Sequence, residues 1–349
     1  MNMATTNRPS RLRTDRVTMA HGGGGKAMRD LIEEVFTDVF QPPGDEDQAR
    51  LMSDALQAPG AQLAFTTDSF VVSPTEFPGG DIGKIAVCGT VNDLAVGGAQ
   101  PLWLSAAFII EEGCDIALLR RVVQSMQAEA LAAGVRIVTG DTKVVERGAA
   151  DKVFITTSGV GVIPAGRTIC ARNIQPGDVA IVNGVLGDHG ATILAARGDM
   201  ALSSDIQSDC QSLNQLIETV IAAAPNLRAA RDATRGGVAT SLNEMAEAAG
   251  VSIEIDETKL PLRTEVKGMC EVLGLDPLYL ANEGTLVLFV PEAEAQSALD
   301  AMRQTPAGVN AAIIGVAGSG PAGRVTMRTL FGGQRLVDML VGEQLPRIC

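Results

Sequence analysis

The chain has 349 residues, with 28 Lys plus Arg against 41 Asp plus Glu and a formal net charge of −13, a balance that weighs against a sequence-independent grip on nucleic acid or on an anionic membrane. Its length predicts two globular units of about 150 residues each, and no run of about 18 apolar residues is present to cross a bilayer. Hydrophobic residues make up 46%, yet Trp103 and Tyr279 are the only Trp and Tyr, so the core is expected to rest on Ala, Val, Leu and Ile.

The opening MNMATTNRPSRLRTDR is basic and polar without an apolar stretch, which predicts a disordered extension over 1–16 rather than a secretory signal, and a cytoplasmic protein. Met28, Leu31, Ile32, Val35, Val39 and Phe40 then follow the 3-and-4 spacing of an amphipathic helix over 26–40. Apolar and β-branched runs predict strands at 62–73, 103–110, 135–145 and 152–163, with helices at 81–96 and 115–133 between them. After GVIPAG the segment RNIQPGDVAIVNG reads as the start of a new sheet. Helical spacing recurs at 208–223 and 237–249, and strand-like runs follow at 252–256, 284–290, 310–317 and 324–331. Two α/β units of similar size are therefore expected, 17–166 and 167–340, followed by a mobile tail over 341–349. The six cysteines are widely spaced with no C-x-x-C, so neither a zinc ribbon nor a disulfide framework is indicated. Five read as small core hydrophobes, and Cys349 stands apart as the last residue.

Four constellations carry chemistry. His21-Gly22-Gly23-Gly24-Gly25-Lys26 precedes a predicted helix, where bare backbone N–H groups, the helix N-terminus and a Lys suit an anion; the plainer reading is a flexible linker. It is not a Walker A loop, because Ala20 stands at the first required Gly and Ala27 replaces Ser or Thr. Asp68, Asp93, Asp141 and Asp232 lie in polar loops or helix breaks, as hard oxygen ligands of Mg²⁺ beside phosphates would; each alone also suits a turn or an N-cap. Asn92 and Asp93 interrupt an otherwise small, apolar helix, where an unpaired carboxylate is costly and a cation is a natural partner. Lys143 and Glu283 are candidate proton-transfer groups, with a surface ion pair as the alternative for either. Asp188-His189 reads as a cap in preference to a catalytic pair. Cys349, in the closing PRIC, is a candidate nucleophile whose neighbouring carboxylate opposes thiolate formation, against the reading of a frayed end.

HGGGGK, TTDSF, GTVNDLAVGGAQP, VTGDTKVV, LGDHGATIL, RDATRGGVATSLNE and the terminal PRIC, in this order and spacing, resemble the HypE family of hydrogenase-maturation proteins from about residue 17 to 349. NDLAVGGAQP and GDT also resemble the wider group of ATP-using enzymes that includes aminoimidazole ribonucleotide synthase, selenophosphate synthase and thiamine-monophosphate kinase. The resemblance implies an α/β (α+β) fold with a two-domain aminoimidazole ribonucleotide synthase-like architecture, mixed sheets packed with helices and a flexible C-terminal tail. It implies a homodimer formed through the first domain. MgATP would be held by Gly22, Gly23, Gly24, Gly25 and Lys26 and by Asp68, Asn92, Asp93, Asp141 and Asp232, with the four aspartates around Mg²⁺. It further implies that a partner carbamoyltransferase loads Cys349. ATP would then drive dehydration of the carbamoyl group to a thiocyanate, assisted by Lys143 and Glu283, and the cyanide would pass to iron on a scaffold complex for the [NiFe]-hydrogenase centre. Two alternatives stay open on the sequence: another phosphorylating enzyme of the same group acting on a free metabolite, and a non-catalytic carrier whose tail is ordered by ATP.

Overall fold

A computed structural model describes residues 11–12, 14–44, 48–198, 205–340, 342, 345 and 347–349. Most of the expected N-terminal extension, 1–10 and 13, lies outside the described residues, as do parts of the tail. Where the chain enters, Arg16 forms an isolated β-bridge with Asp115. Helix α1 (Lys26–Leu31) runs on through a π-helical stretch, Ile32–Thr37, into α2 (Asp38–Phe40). The spacing read over 26–40 is thus one helical rod with a wide turn inside it, and Leu31, Val35 and Phe36 are its buried residues. Strand β1 (Gln62–Phe70) leads into the small hairpin β2 (Glu76–Phe77) and β3 (Gly80–Asp81), then α3 (Ile82–Val96), β4 (Gln100–Glu111), α4 (Ile116–Ala133), β5 (Arg136–Val145) and β6 (Val153–Ile163). Asp81 and Asp115 cap α3 and α4 by accepting backbone N–H bonds of the first turns.

The first sheet has the order β1-β6-β4-β5, with β4 and β5 parallel and the other pairs antiparallel. Helices α3 and α4 pack on one face, where Phe70, Val91, Phe108, Leu119, Met126 and Ile155 share a core. On the opposite face Leu63, Phe65 and Ile109 are 63%, 68% and 44% exposed.

The second half comprises β7 (Val179–Val182), α5 (Asp188–Arg197), α6 (Asn214–Ala223), β8 (Ala229–Asp232), α7 (Gly237–Ala249), β9 (Ser252–Asp256), α8 (Thr264–Leu273), β10 (Leu286–Val290), α9 (Glu292–Arg303), β11 (Ala312–Gly318), β12 (Val325–Arg328) and β13 (Gln334–Leu336). Its sheet has the order β13-β12-β9-β11-β7-β10-β8. Strand β10, LVLFV, is buried at every position because helices cover both faces: Val287 and Phe289 meet α7, whereas Leu286, Leu288 and Val290 meet α6 and α9. Helices α5, α8 and α9 are not predicted above. In α9 the buried stripe is Ala295, Ala298, Leu299 and Met302, correctly spaced but half alanine. Helix α6 starts at Asn214 rather than 208, because the Leu213 N–H is taken by the Asn92 side chain and the Gln211 carbonyl by the same amide.

Helices α3 and α4 touch where α3 lacks a side chain. A Cβ at Gly83 would lie 2.8 Å from Met126 Cγ and run into the Val122 carbonyl, so the backbone of α4 has nowhere to go. Gly83→Ala is expected to destabilise the protein by about 2–3 kcal/mol. Gly268→Ala, inside α8 with nothing within 4 Å of its Cβ position, is expected to stabilise it by roughly 0.5–1 kcal/mol; urea unfolding of both variants checks the pair of signs.

Candidate active site

The acidic residues of the candidate site come from four separate segments that meet at the junction of the two halves. Asp68 is on β1, Asp93 on α3, Asp232 at the end of β8 and Glu283 just before β10. Asp68 shares its sheet face with Thr157, Ala106 and Gly140 across the register, the face that α3 covers. Asp93 is held there by Thr66, whose hydroxyl donates to Oδ2 at 2.9 Å. Desolvation raises the carboxyl pKa of Asp68 and of Asp93, and the Asp68 charge adds to the shift of Asp93. Asp232 is pushed up to about 7, by desolvation first and by the Asp93 charge second. Arg235 lies close enough to oppose the shift of Asp68.

Glu283 is 3% exposed, and its Oε1 has no hydrogen-bond partner among the described residues. Burial and then the charges of Asp209, Asp232 and Asp68 hold its carboxyl well above the usual range. The backbone around it is fixed by Asp209, which accepts the Glu283 and Gly284 N–H groups at 2.9 and 3.0 Å and the Thr285 hydroxyl at 2.9 Å.

The closing residues reach this same junction. Main-chain oxygens of Cys349 and Arg347 accept the Val71 and Ser73 N–H groups at 3.0 and 3.2 Å. Ile348 is buried in the first-half core, and its carbonyl lies 2.7 Å from His189 Nε2. The Arg347 side chain reaches the Val71 carbonyl and Asp151 and sits over the Phe154 ring. The Cys349 thiol is raised far above its ordinary pKa by burial first and by the Glu283 charge second, with Arg235 opposing. The thiol therefore feels the Glu283 charge.

Other expected site residues lie elsewhere in one chain. Asn92 is buried and both ends of its amide are occupied by the backbone at 211–213, so its partner is a loop rather than a cation. Asp141 and Lys143 pair with each other at 2.5 Å, are 60% and 63% exposed, and stand on the face of the sheet opposite to Asp68, in register with Ala107 and Ile109. The glycine run flanks β5, with Gly22 tight against Val144, while Gly24 and Gly25 have nothing within 4 Å of a Cβ position and Gly24 has φ +73°. That leaves an open backbone cradle ahead of Lys26. Strands β1 and β5 are the two edges of the sheet, about 14 Å apart over three strand spacings, which sets the glycine run beside β5 apart from Asp68 on β1.

Sequence reading missed two contributors and misassigned a third. Asp209 sat inside an expected helix; Arg235 lay within RDATRGG without being singled out; and His189, named above and read as a cap, is none, because α5 has no side-chain cap and the imidazole is spent on the tail.

A mixed four-stranded sheet and a seven-stranded sheet, each packed with helices, with buried carboxylates and the last residues of the chain meeting between them, define an AIR synthase-like class. The family AIR synthase related protein, N-terminal domain, matches residues 46–163, and the corresponding C-terminal domain matches residues 175–328. A carbamoyl dehydratase HypE of Rhodobacter capsulatus is 74% identical over 338 residues, covering 97% of this chain and 99% of the relative. The crystal structure of the hydrogenase maturation protein HypE in complex with ATP superposes with a TM-score of 0.90 at 46% identity, covering 95% of this chain and 99% of that one. A HypE-HypF complex gives 0.78 at 45% identity, covering 89% and 99%. The chain belongs to the HypE carbamoyl dehydratase family.

The raised Asp232 gives a pH test. Its folded pKa of about 7 exceeds the roughly 3.9 of an unfolded chain, so its contribution to stability is full below about pH 4 and is lost as pH rises through 7. Asp232→Asn is expected to flatten the fall in stability between pH 5 and pH 8 and to leave the protein more stable than the parent at pH 8. Urea unfolding at the two pH values, without nucleotide, measures this; equal slopes would remove the assignment.

Proposed function

We propose that this protein is an ATP-dependent S-carbamoyl-cysteine dehydratase that carries its substrate on Cys349 and supplies cyanide ligands for [NiFe]-hydrogenase iron. The observation that carries the residue assignment is the docking of the chain's last residues at the junction, where the Cys349 main-chain oxygen accepts the Val71 N–H next to the strand that carries Asp68 and the charges of Glu283, Asp68 and Asp232 act on the thiol. A carbamoyl oxygen leaves poorly as hydroxide. Its attack on the γ-phosphorus of ATP forms an O–P bond, releases ADP and makes the oxygen a phosphate leaving group. Loss of one amide proton accompanies that step. Loss of the second, with cleavage of C–O and departure of phosphate, leaves S–C≡N. The net change is carbamoyl thioester plus ATP to thiocyanate plus ADP and phosphate.

Glu283 suits the proton transfers: its raised pKa makes it a stronger base than an ordinary carboxylate once ionised, and its free Oε1 points to no competing partner. Asp68, Asp93 and Asp232 are hard oxygen donors whose charges repel one another, which fits Mg²⁺. Among the described residues no three His, Cys, Asp or Glu side chains converge tightly enough to hold a metal ion alone, as expected where a cation is shared with nucleotide phosphates. Bound there, Mg²⁺ would neutralise charge building on the transferred phosphoryl group.

A raised thiol pKa suits a neutral thioester and is wrong for a nucleophile. Loading by a carbamoyltransferase therefore takes place with Cys349 withdrawn from the junction, in keeping with a tail that leaves and returns. The open face of the first sheet, with Leu63, Phe65 and Ile109 exposed, is the proposed homodimer surface. Such a dimer would let Lys143, Asp141 and the glycine cradle of one copy serve the carboxylates of the other. Delivery of cyanide to an iron-carrying scaffold complex and a cytoplasmic location complete the reading; no described helix is long and apolar enough to cross a membrane.

Intact-protein mass spectrometry after incubation with the carbamoyltransferase, carbamoyl phosphate and MgATP is expected to show a carbamoyl adduct converting to one lighter by a water. Cys349→Ala should lose both adducts and keep ATP binding, and Glu283→Gln should accumulate the carbamoyl form with turnover down about 100-fold or more. Carbamoyl-dependent phosphate release by Cys349→Ala would sink the assignment. Phe65→Asp is expected to shift the protein to monomer in sedimentation equilibrium and to abolish dehydration with it.

A further inference from the structure

His189 is completely buried, yet the dehydration chemistry makes no use of it. Its surroundings fix its protonation. Nε2 faces the Ile348 carbonyl at 2.7 Å, an acceptor only, so Nε2 carries the hydrogen. Nδ1 lies 2.8 Å from Ser208 Oγ, and that oxygen already accepts the Cys210 N–H at 3.1 Å, leaving its own hydrogen for Nδ1. The Phe77 ring closes the remaining side, edge-on at 5.5 Å between centroids. Burial lowers the imidazole to about 4, which keeps it neutral through the working pH range. The donors thus run in one direction, from the Cys210 amide through the Ser208 hydroxyl and the imidazole to the Ile348 carbonyl. The loop that supplies Ser208 also supplies Asp209, the residue that holds Glu283 and Gly284 in place.

The tail is gripped from both halves of the molecule. Residues 71 and 73 of the first half take the main-chain oxygens of Cys349 and Arg347. From the second half, His189 takes the oxygen of Ile348, and Arg197 of the same helix donates to the Arg347 carbonyl at 2.8 Å and to the Ser73 carbonyl at 2.9 Å. Ile348 is the residue next to the reacting cysteine. Its carbonyl is buried only when the tail is docked, and an undocked tail satisfies it with water. A donor at His189 therefore favours the docked state selectively, since a buried carbonyl without a partner is costly and a hydrated one is not.

We propose that His189 is a positioning residue: a neutral imidazole latch, its tautomer set by Ser208, that holds the Ile348 carbonyl and so seats the Cys349 thiol at Glu283, releasing it as a unit when the tail leaves for loading. The proposal rests on the dehydratase reading for its purpose, although not for its geometry. Removal of the donor shifts the population toward the undocked tail by about tenfold.

The test uses the full chain and reads two quantities. The first is the rate at which iodoacetamide alkylates Cys349, quantified on the C-terminal peptide so that the exposed Cys170 does not interfere. His189→Ala is expected to raise this rate about tenfold, and His189→Gln, whose amide nitrogen can occupy the place of Nε2, to return it close to the parent. The second is single-turnover thiocyanate formation from protein already carbamoylated on Cys349. It should slow in His189→Ala and recover in His189→Gln, while loading by the carbamoyltransferase is undiminished. If the dehydratase reading were wrong, the parent would give no thiocyanate and the alkylation arm would still decide the latch. An alkylation rate in folded His189→Ala equal to that of the parent overturns the proposal. Should that variant not fold, Ser208→Ala takes its place: a rise of several-fold supports the latch, and an unchanged rate overturns it.

Discussion

Everything at the junction hangs on α3, a helix with almost no outward side. It lies against the first sheet, meets α4 at Gly83 and α6 near its end, and presents Asn92 to the loop at 211–213. A helix packed on most sides favours small residues at its closest contacts, and IGKIAVCGTVNDLAV has Gly83 against α4 and Gly89 against Phe70. Its Asn92 and Asp93 side chains are consequently forced to find partners. Asn92 binds the second half of the molecule to the first through two buried hydrogen bonds, and Asp93 is turned by Thr66 toward Asp68 and Asp232. One turn of this helix thus supplies both a carboxylate of the site and a contact between the halves.

The accumulation of acid at that turn is unfavourable for the empty protein. Asp68, Asp93, Asp232, Asp209 and Glu283 all have raised pKa values for the same first reason, withdrawal from water. Local bonds offset this only in part: Asp209 spends its oxygens on three donors, whereas Glu283 keeps one oxygen free. A site with this electrostatic strain is relieved by cations and by proton uptake. Those are the two things an ATP-dependent dehydration has to manage.

The seat of the tail has the opposite character. It is a run of hydrogen bonds to main-chain oxygens with one buried apolar anchor, Ile348, and two cations, Arg197 on the Arg347 carbonyl and Arg347 clasped over Phe154. Such contacts are individually modest, which suits a segment that is held firmly enough to place a thiol and weakly enough to let it go. The burial that positions Cys349 also suppresses its thiolate.

Much was legible in the chain itself. Strands β4, β5 and β6 and helices α3, α4 and α7 follow from apolar runs and their periodicity, because one-sided or two-sided burial writes a local pattern. The resemblance to the HypE family rests on motifs that are contiguous in sequence, and Cys349, Glu283 and the aspartates were visible in them as residue types suited to the chemistry. What the sequence could not order was anything made by convergence. Asp209 carries no local signal and His189 a misleading one, since they act on segments 74 and 159 positions away respectively. Asn92 looked like a ligand because a buried amide demands a partner, and only packing decided that the partner is backbone. The separation of Asp141 and Lys143 from Asp68 was likewise hidden: strand parity puts neighbours in one strand on opposite faces, but which residues of β5 share a face with those of β1 depends on the register of three strand pairs, and register is fixed by the core that the whole chain assembles.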